Sequence, residues 1–334
     1  MEWNYLDLTT TDPHWNLALE QYVFDRLPRD RSYFLLWQND RSVIIGKHQN
    51  TLAEIDLPYV EAQGIQVVRR LSGGGAVYHD LGNLNFTFIT DGEGAGTLDF
   101  ALFCRPVVRV LESFGVSAQI SGRNDITVCG KKFSGNSQYT REGRVMHHGT
   151  ILFDSDLDAV TRALRVDEEK IRSNGVPSVR SRVTNLKEHL PPEVDLPRFR
   201  RALLEQVMFT GLRGRAYTLT PEDRREIDRL KRERYDTWDW NFGQSPSCAL
   251  VRRARVEGCG LVELFLQVEH GRLTGVAFRG DFFSAEEPEE LERLLTGCPL
   301  ELEACRRALE GVDLSRYFHG LDRERFLQLL CQGR

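Results

Sequence analysis

Apolar positions along this chain alternate between two spacings. After Asp12-Pro13, Trp15, Leu19, Tyr22, Val23 and Leu27 recur at three- and four-residue intervals, which predicts a helix. Half-apolar extended segments follow at 32–37, 42–46, 65–68, 76–79 and 83–90, each rich in β-branched or aromatic residues. Helical spacing returns between Leu98 and Phe114. There Phe103, Val107, Val110, Leu111 and Phe114 share one face, and Pro106 falls in the first turns or at a kink. A second strand group is expected at 126–129, 132–139 and 146–153, and a further helix at 196–210. Thr220-Pro221-Glu222-Asp223 opens another helix with an N-cap, a proline at the first helical position and acids in the first turn. The aromatic, polar stretch 235–246 reads as a semi-ordered linker packed on something, since a flexible spacer would not carry two tryptophans and a phenylalanine. Beyond it, 260–269 and 272–278 alternate around His270-Gly271 as a hairpin, and short helices finish the chain. The pattern predicts an α+β domain over 1–245 and a smaller α+β domain over 246–334.

Composition narrows the function classes. With 44 basic and 49 acidic residues among 334, the net charge of −5 gives no global case for nucleic-acid binding. No apolar run approaches the roughly 18 residues of a membrane span. The acidic start, Met1 to Asp7, has neither the order of a signal peptide nor the arginines of a transit peptide. Seven scattered cysteines without C-x-x-C spacing fit free thiols in a reducing compartment, so a cytoplasmic location is expected.

The chemistry concentrates in three segments. Arg69-Arg70-Leu71-Ser72-Gly73-Gly74-Gly75-Ala76-Val77-Tyr78-His79-Asp80 follows an apolar strand and places three glycines behind two arginines. Glycine takes either sign of φ and carries no Cβ, so such a loop can lay its backbone N–H groups against an anion or a flat ring. A dinucleotide fingerprint needs a glycine where Tyr78 stands, and a Walker loop needs Gly-Lys-Ser/Thr; both fail. A glycine-lined surface for a nucleobase remains, beside the plainer reading of a mobile turn. Lys132 lies in a strand between small and apolar neighbours, which suits a point charge aimed at phosphate or carboxylate; a solvated surface lysine is the competing reading. His147 and His148 are adjacent on a strand, point to opposite faces and so do not share a metal; one faces the site and the other the core or solvent. Cys129 is expected to be a buried strand thiol.

Taken in order, these segments resemble the lipoate–protein ligase A family of the biotin/lipoate ligase superfamily. The resemblance rests on Asp12-Pro13 through Glu20, Ser42 to Asn50, the Arg69–Asp80 run, Gly122-Arg123-Asn124-Asp125, Lys132-Phe133-Ser134-Gly135, His147-His148-Gly149-Thr150, Ser178 to Asn185 and Trp240 to Gln244. It implies a mixed sheet with flanking helices in the larger domain and a small C-terminal accessory domain. It implies an ATP-dependent ligase that joins lipoate to acceptor lysines through a lipoyl-adenylate. Arg70, Gly75, Ala76, Val77, Tyr78, Lys132 and Asp125 would then bind the nucleotide. Trp37, Ser72, Gly73, Gly74, Lys132, His148 and Gly149 would bind lipoate, with Lys132 catalytic and Asp125 positioning Mg2+. The implied partners are lipoyl domains of 2-oxoacid dehydrogenase E2 subunits and the glycine cleavage H protein, served by a monomer. An ATP-independent octanoyl or lipoyl transferase would need a cysteine near His147–Thr150, where none stands, and a non-catalytic lipoyl-domain binder would not need an intact Lys132.

Overall fold

A computed structural model describes residues 3–91, 99–122, 124–165, 182–209, 214–243 and 250–332. Arg123, residues 178–181, Gln244 to Pro246 and Thr210, which the sequence reading used, lie outside the described residues.

In chain order the elements are β1 (Trp3–Asp7), α1 (Pro13–Arg26), β2 (Ser32–Trp37), β3 (Ser42–Ile45), α2 (Thr51–Glu54), α3 (Leu57–Ala62), β4 (Gln66–Arg69), β5 (Val77–His79) and β6 (Asn83–Asp91). Then come α4 (Phe100–Ser113), β7 (Ala118–Ser121), β8 (Asp125–Val128), β9 (Lys131–Arg141), β10 (Arg144–Leu152), α5 (Leu157–Ala163), α6 (Leu196–Phe209) and β11 (Gly214–Ala216). The chain ends with α7 (Pro221–Leu230), α8 (Trp238–Asn241), β12 (Leu250–Val256), β13 (Gly260–Glu269), β14 (Arg272–Gly280), α9 (Glu289–Leu295), α10 (Leu302–Ala308) and α11 (Arg323–Gln332).

Eight strands form one mixed sheet in the order β11-β1-β2-β6-β10-β9-β8-β7. β11, β1 and β2 run parallel, and every later pairing is antiparallel. The alternation in β2 is buried on both faces. Phe34 and Leu36 join Phe86 and Phe88 under α4 and α6, while Tyr33, Leu35 and Trp37 pack with Leu17, Leu19 and Val23 of α1. A small sheet, β4-β3-β5, stands apart from the large one. The C-terminal strands β12-β13-β14 form a third, antiparallel sheet with its own core beneath the last helices.

Local chemistry explains the element ends. The Asp12 carboxylate accepts from the His14 and Trp15 amides at the start of α1. Thr220 and Asp223 make a reciprocal capping box on α7, and the same Asp223 accepts the Tyr22 hydroxyl at 2.6 Å, tying α7 to α1. At the β13–β14 turn both His270 (φ 50°) and Gly271 (φ 75°) are left-handed, the geometry of a tight two-residue hairpin.

The structure adds one element that was not expected and changes two expectations. The acidic N-terminus forms β1, a strand between β2 and β11 that only long-range parallel pairing creates. The aromatic segment contains α8, whose Asn241 amide donates to the Tyr235 and Thr237 carbonyls. Cys129 is exposed rather than buried. It and Gly130 take φ values of 49° and 75° in the turn between β8 and β9, so the strand ends one residue earlier than expected.

Candidate active site

The large sheet and the small sheet face each other across a cavity of about 330 Å³. Its apolar lining comes from α1, β2, β3 and β5 as Leu17, Trp37, Ile44 and Val77. Polar lining comes from β8 to β10 as Asp125, Lys132, Asn136, Ser137 and Thr150. Backbone at Gly74, Gly75 and Gly149 completes the wall.

Lys132 Nζ lies 2.7 Å from Asp125 Oδ1, both side chains being half-buried. A register shift between β8 and β9 sets Thr127 against Lys132 and Ile126 against Ser134, which leaves Phe133 as the extra residue. Phe133 is buried in the core, and Lys132 lines the cavity. The Lys132 carbonyl accepts the Thr184 amide at 2.9 Å, which anchors its backbone. Gly135 leaves space for this side chain, since a Cβ there would stand 2.9 Å from Nζ. Asn124 and Asn136 exchange backbone and side-chain hydrogen bonds of 2.5 to 3.1 Å, fixing the start of β8 and hence Asp125.

The glycine loop is tied down by hydrogen bonds from Arg70 and Ser137. Arg70 donates from Nε to Ser72 Oγ (3.1 Å) and from its terminal nitrogens to the carbonyls of Ile44 (3.2 Å), Gly73 (2.6 Å) and Gly75 (2.9 Å). Burial lowers its pKa to about 10, which still leaves it charged at neutral pH. Ser137 Oγ donates to the Gly73 carbonyl at 2.8 Å. Gly46 approaches so closely that a Cβ would sit 1.9 Å from the Gly74 oxygen, and Gly74 itself has φ +88°. Arg69 was expected beside Arg70 at the loop. It points the other way, because adjacent strand residues alternate, and donates to the carbonyls of Gly46, Lys47, Gln49, Trp240 and Asn241.

Behind the cavity wall runs a buried polar chain. His148 Nε2 is hydrogen-bonded to Ser72 Oγ at 2.6 Å, and His148 Nδ1 donates to the Glu20 carboxylate at 3.1 Å. Thr87 also donates to Glu20 and accepts from Trp37 Nε1 at 2.9 Å, so the indole is linked to the same carboxylate through the Thr87 hydroxyl. His147 points to the opposite face, stacked on Phe103 with centroids 4.9 Å apart. His79 lines the cavity, and burial lowers its pKa to about 3, so it is neutral.

Of the residues singled out from the sequence, Trp37, Arg70, Gly74, Gly75, Ala76, Val77, Asp125, Lys132, His148 and Gly149 meet at the cavity. Three do not. Tyr78 turns its ring into a separate core with Val43, Val67 and Val60. Ser72 lies behind the wall, on His148 and Arg70. Gly73 faces the C-terminal domain, where a Cβ would meet the Phe282 carbonyl oxygen at 2.3 Å. Leu17, Ile44, His79, Asn85, Asn124, Asn136, Ser137, Thr150, Arg255 and Asp281 also line the cavity and were not singled out. The sequence could have pointed to His79, which ends the glycine-loop segment. It carries no signal for Arg255 and Asp281, which arrive from the other domain.

As to a metal, among the described residues no group of three or more His, Cys, Asp or Glu side chains is arranged to hold a metal ion. One carboxylate beside substrate phosphates is a donor set that Mg2+ takes when it arrives on a nucleotide, and the carboxylates lining the cavity are Asp125 and Asp281.

Comparison with known proteins places this arrangement. The family model described as "Lipoyl protein ligase A/B catalytic domain" matches residues 12–208, and "Bacterial lipoate protein ligase C-terminus" matches residues 245–330. The chain belongs to the lipoate–protein ligase family. It is 45% identical over 321 residues to the lipoate–protein ligase LplJ of Bacillus subtilis, covering 96% of this chain and 97% of that one. As a lipoate–protein ligase it is an enzyme. Its fold matches the crystal structure of LipL1 of P. falciparum in complex with lipoate, with a TM-score of 0.78 at 23% identity over 99% of this chain and 98% of that one. A bipartite archaeal ligase from Thermoplasma acidophilum, solved in a study of that ligase and its E2 lipoyl domain, has a TM-score of 0.66 at 31% identity and covers 75% of this chain and 100% of that one. A lipoate–protein ligase A bound with ATP has a TM-score of 0.64 at 29% identity, over 73% and 100% of the two chains. The ligase fold expected from the sequence, a mixed sheet with flanking helices plus a small C-terminal domain, is the fold found.

Proposed function

We propose that this ligase activates lipoate with ATP and transfers it, through a lipoyl-adenylate, to a lysine of lipoyl-domain acceptors. The observation that carries the reading is Lys132, a half-buried cation on the wall of a cavity that also offers an apolar side (Leu17, Trp37, Ile44 and Val77) and glycine backbone. An acyl chain needs the apolar part, and each CH₂ buried there contributes about 0.8 kcal/mol. The anhydride needs the cation.

In the first half-reaction a lipoate carboxylate oxygen attacks the α-phosphorus. The new O–P bond forms as the bond to the bridging oxygen breaks, and pyrophosphate leaves with the electron pair. Two unit negative charges about 4 Å apart repel by about 4 kcal/mol at an effective dielectric near 20. Lys132 offsets that repulsion when its ammonium exchanges Asp125 for the incoming anions. Magnesium on the nucleotide would be held at Asp125 and would further neutralise phosphate charge. In the second half-reaction an acceptor amine attacks the acyl carbonyl, AMP leaves, and the amine gives up its proton. Lys132 then donates to the carbonyl oxygen as negative charge develops there.

Within this reading Arg70, Gly75, Ala76, Val77 and the backbone of Tyr78 border the adenylate. Trp37, Ser72, Gly73, Gly74, His148 and Gly149 shape the lipoyl side, some directly and some from behind the wall. Residues 1–245 form the catalytic part and 246–334 the accessory part, in a monomer. E2 lipoyl domains and the glycine cleavage H protein are the acceptors. A thioester transferase would need a cysteine at the cavity. Among the described residues none lines it, and the buried Cys104 has its thiol pushed up to about 12 by burial.

The test is lipoate-dependent exchange of labelled pyrophosphate into ATP. Wild-type protein exchanges, and Lys132→Ala loses at least 100-fold with an unchanged melting temperature. Absence of exchange in the wild type sinks the ligase reading, and full exchange by Lys132→Ala removes that residue from the chemistry.

A further inference from the structure

The cavity is not built by the catalytic domain alone. Arg255, at the end of β12, and Asp281, just past β14, both line it. Their placement follows from the C-terminal sheet. Arg255 pairs in register with Leu261 of β13, and the Leu261 amide donates to Asp281 Oδ1 while the Asp281 amide donates back to the Leu261 carbonyl. Gly280 makes that exchange possible: its φ is +143°, and a Cβ there would stand 2.0 Å from the Leu261 oxygen. Asp281 Oδ2 in turn lies 3.6 Å from the Arg255 guanidinium, with three-quarters of the Arg255 side chain buried.

The segment bearing Asp281 is seated on the catalytic domain. The Gly280 amide donates to the His48 carbonyl at 2.9 Å, and the His48 ring stacks on Phe282 with centroids 4.7 Å apart. Lys47 pairs with Glu287 at 2.6 Å. Phe283 packs on Phe100, and its ring stands 3.1 Å from where a Gly74 Cβ would be. This docking carries Arg255 to the same cavity as Lys132.

Charge demand gives Arg255 its role. A nucleoside triphosphate and a carboxylate together bring several negative charges into one cavity. Arg70 is already committed, since it donates to three backbone carbonyls and a serine to hold the glycine loop. Lys132 and Arg255 each have a carboxylate partner at the cavity, Asp125 and Asp281, at 2.7 and 3.6 Å. Either can exchange a carboxylate for a phosphate. A guanidinium also binds phosphate oxygens two at a time, which an ammonium cannot.

We propose that Arg255 is a catalytic residue of the adenylation half-reaction, contributed by the C-terminal domain to contact the nucleotide polyphosphate, with Asp281 as its positioning residue. The proposal rests on the adenylating-ligase reading above. Pyrophosphate leaves in that half-reaction as its bond to the α-phosphorus breaks, and Arg255 stabilises the charge it carries away. Transfer of the acyl group from a preformed adenylate releases only AMP and makes no such demand.

The test splits the two half-reactions in the full-length protein. Arg255→Ala is expected to lower lipoate-dependent pyrophosphate exchange about 100-fold. Its transfer from synthetic lipoyl-adenylate to a lipoyl domain should stay within about threefold of wild type, and Arg255→Lys should recover part of the exchange. Asp281→Asn should lower exchange less than Arg255→Ala does. Exchange by Arg255→Ala equal to wild type overturns the proposal. An equal fall in exchange and transfer also overturns it, since that marks a structural role. Should Arg255→Ala fail to fold, Arg255→Gln carries the same comparison. A wild type without exchange refutes the ligase reading itself, and the proposal falls with it.

Discussion

Mild acid will destabilise this fold through three histidines that are buried without their charge. His48, His79 and His147 are each at most 4% exposed. Burial pushes all three below the ordinary histidine value, His79 to about 3. Their charged neighbours add to the effect, since every one the structure places against them is a base: Lys47, Arg279 and Arg69 around His48, Arg70 and His148 around His79, and His148 beside His147. In the unfolded chain each titrates near 6.5, so between that value and the lower folded one the unfolded state binds more protons. Stability is therefore complete above about pH 7 and falls as pH drops through the unfolded value toward the folded one. At about pH 5.5, one unit below the unfolded value, each histidine costs at most about 1.4 kcal/mol, and the three together at most about 4 kcal/mol. That is a large share of the 5–15 kcal/mol that typically separates folded from unfolded states. The assay is urea unfolding at about pH 7.5, 6.5 and 5.5, followed by both tryptophan fluorescence and circular dichroism. His147→Gln should reduce the pH dependence, whatever it does to stability at the higher pH. A denaturation midpoint equal at the two extremes would refute the reasoning, because it would mean that these rings take up protons inside the folded protein.

Two further substitutions probe the cavity walls. Gly46→Ala places a Cβ 1.9 Å from the Gly74 carbonyl oxygen, backbone against backbone, so the glycine loop must move. It should cost about 1–3 kcal/mol in chemical denaturation and lower adenylation more than the stability loss explains; wild-type behaviour in both measurements would contradict the close approach. Trp37→Ala removes a buried indole and its bond to Thr87, at a cost of about 3–5 kcal/mol, and should admit bulkier carboxylates in the exchange assay. Unchanged selectivity would count against Trp37 as a wall of the acyl site.

How much of this was legible in the sequence depended on how local the cause was. β2 lies at Ser32–Trp37 as expected, because its run of aromatic and aliphatic residues suits a strand buried on both faces. The helix at Pro221 starts where its capping box says. β1 was invisible, because five residues of mixed character become a strand only when β2 and β11 supply partners on either side. Cys129 was misplaced for a related reason. A cysteine before a glycine reads as the end of an apolar strand, and the left-handed turn that exposes it is fixed by the pairing of β8 with β9. At the site, Lys132 and the glycine loop announce themselves by residue type. The Phe133 bulge that turns Lys132 to the cavity does not, and neither does the pairing of Gly46 with Gly74.

The three consecutive glycines answer three different structural needs. Gly75 lines the cavity with its backbone, and its carbonyl is held by Arg70, which is what the proposed nucleotide-facing role asks of it. Gly74 answers a different need, a positive φ of 88° with the Gly46 backbone pressed against its oxygen. Gly73 answers a third, since a Cβ there would run into the Phe282 carbonyl of the C-terminal domain at 2.3 Å. The same stretch is thus shaped on one side for what binds in the cavity and on the other for the domain that brings Arg255 to it. An alanine at Gly73 should therefore disturb the docking of the C-terminal domain first. If adenylation requires Arg255, Gly73→Ala will resemble Arg255→Ala in the two half-reactions, losing exchange while keeping transfer from preformed adenylate. A loss confined to transfer would show instead that Gly73 serves the acyl site directly.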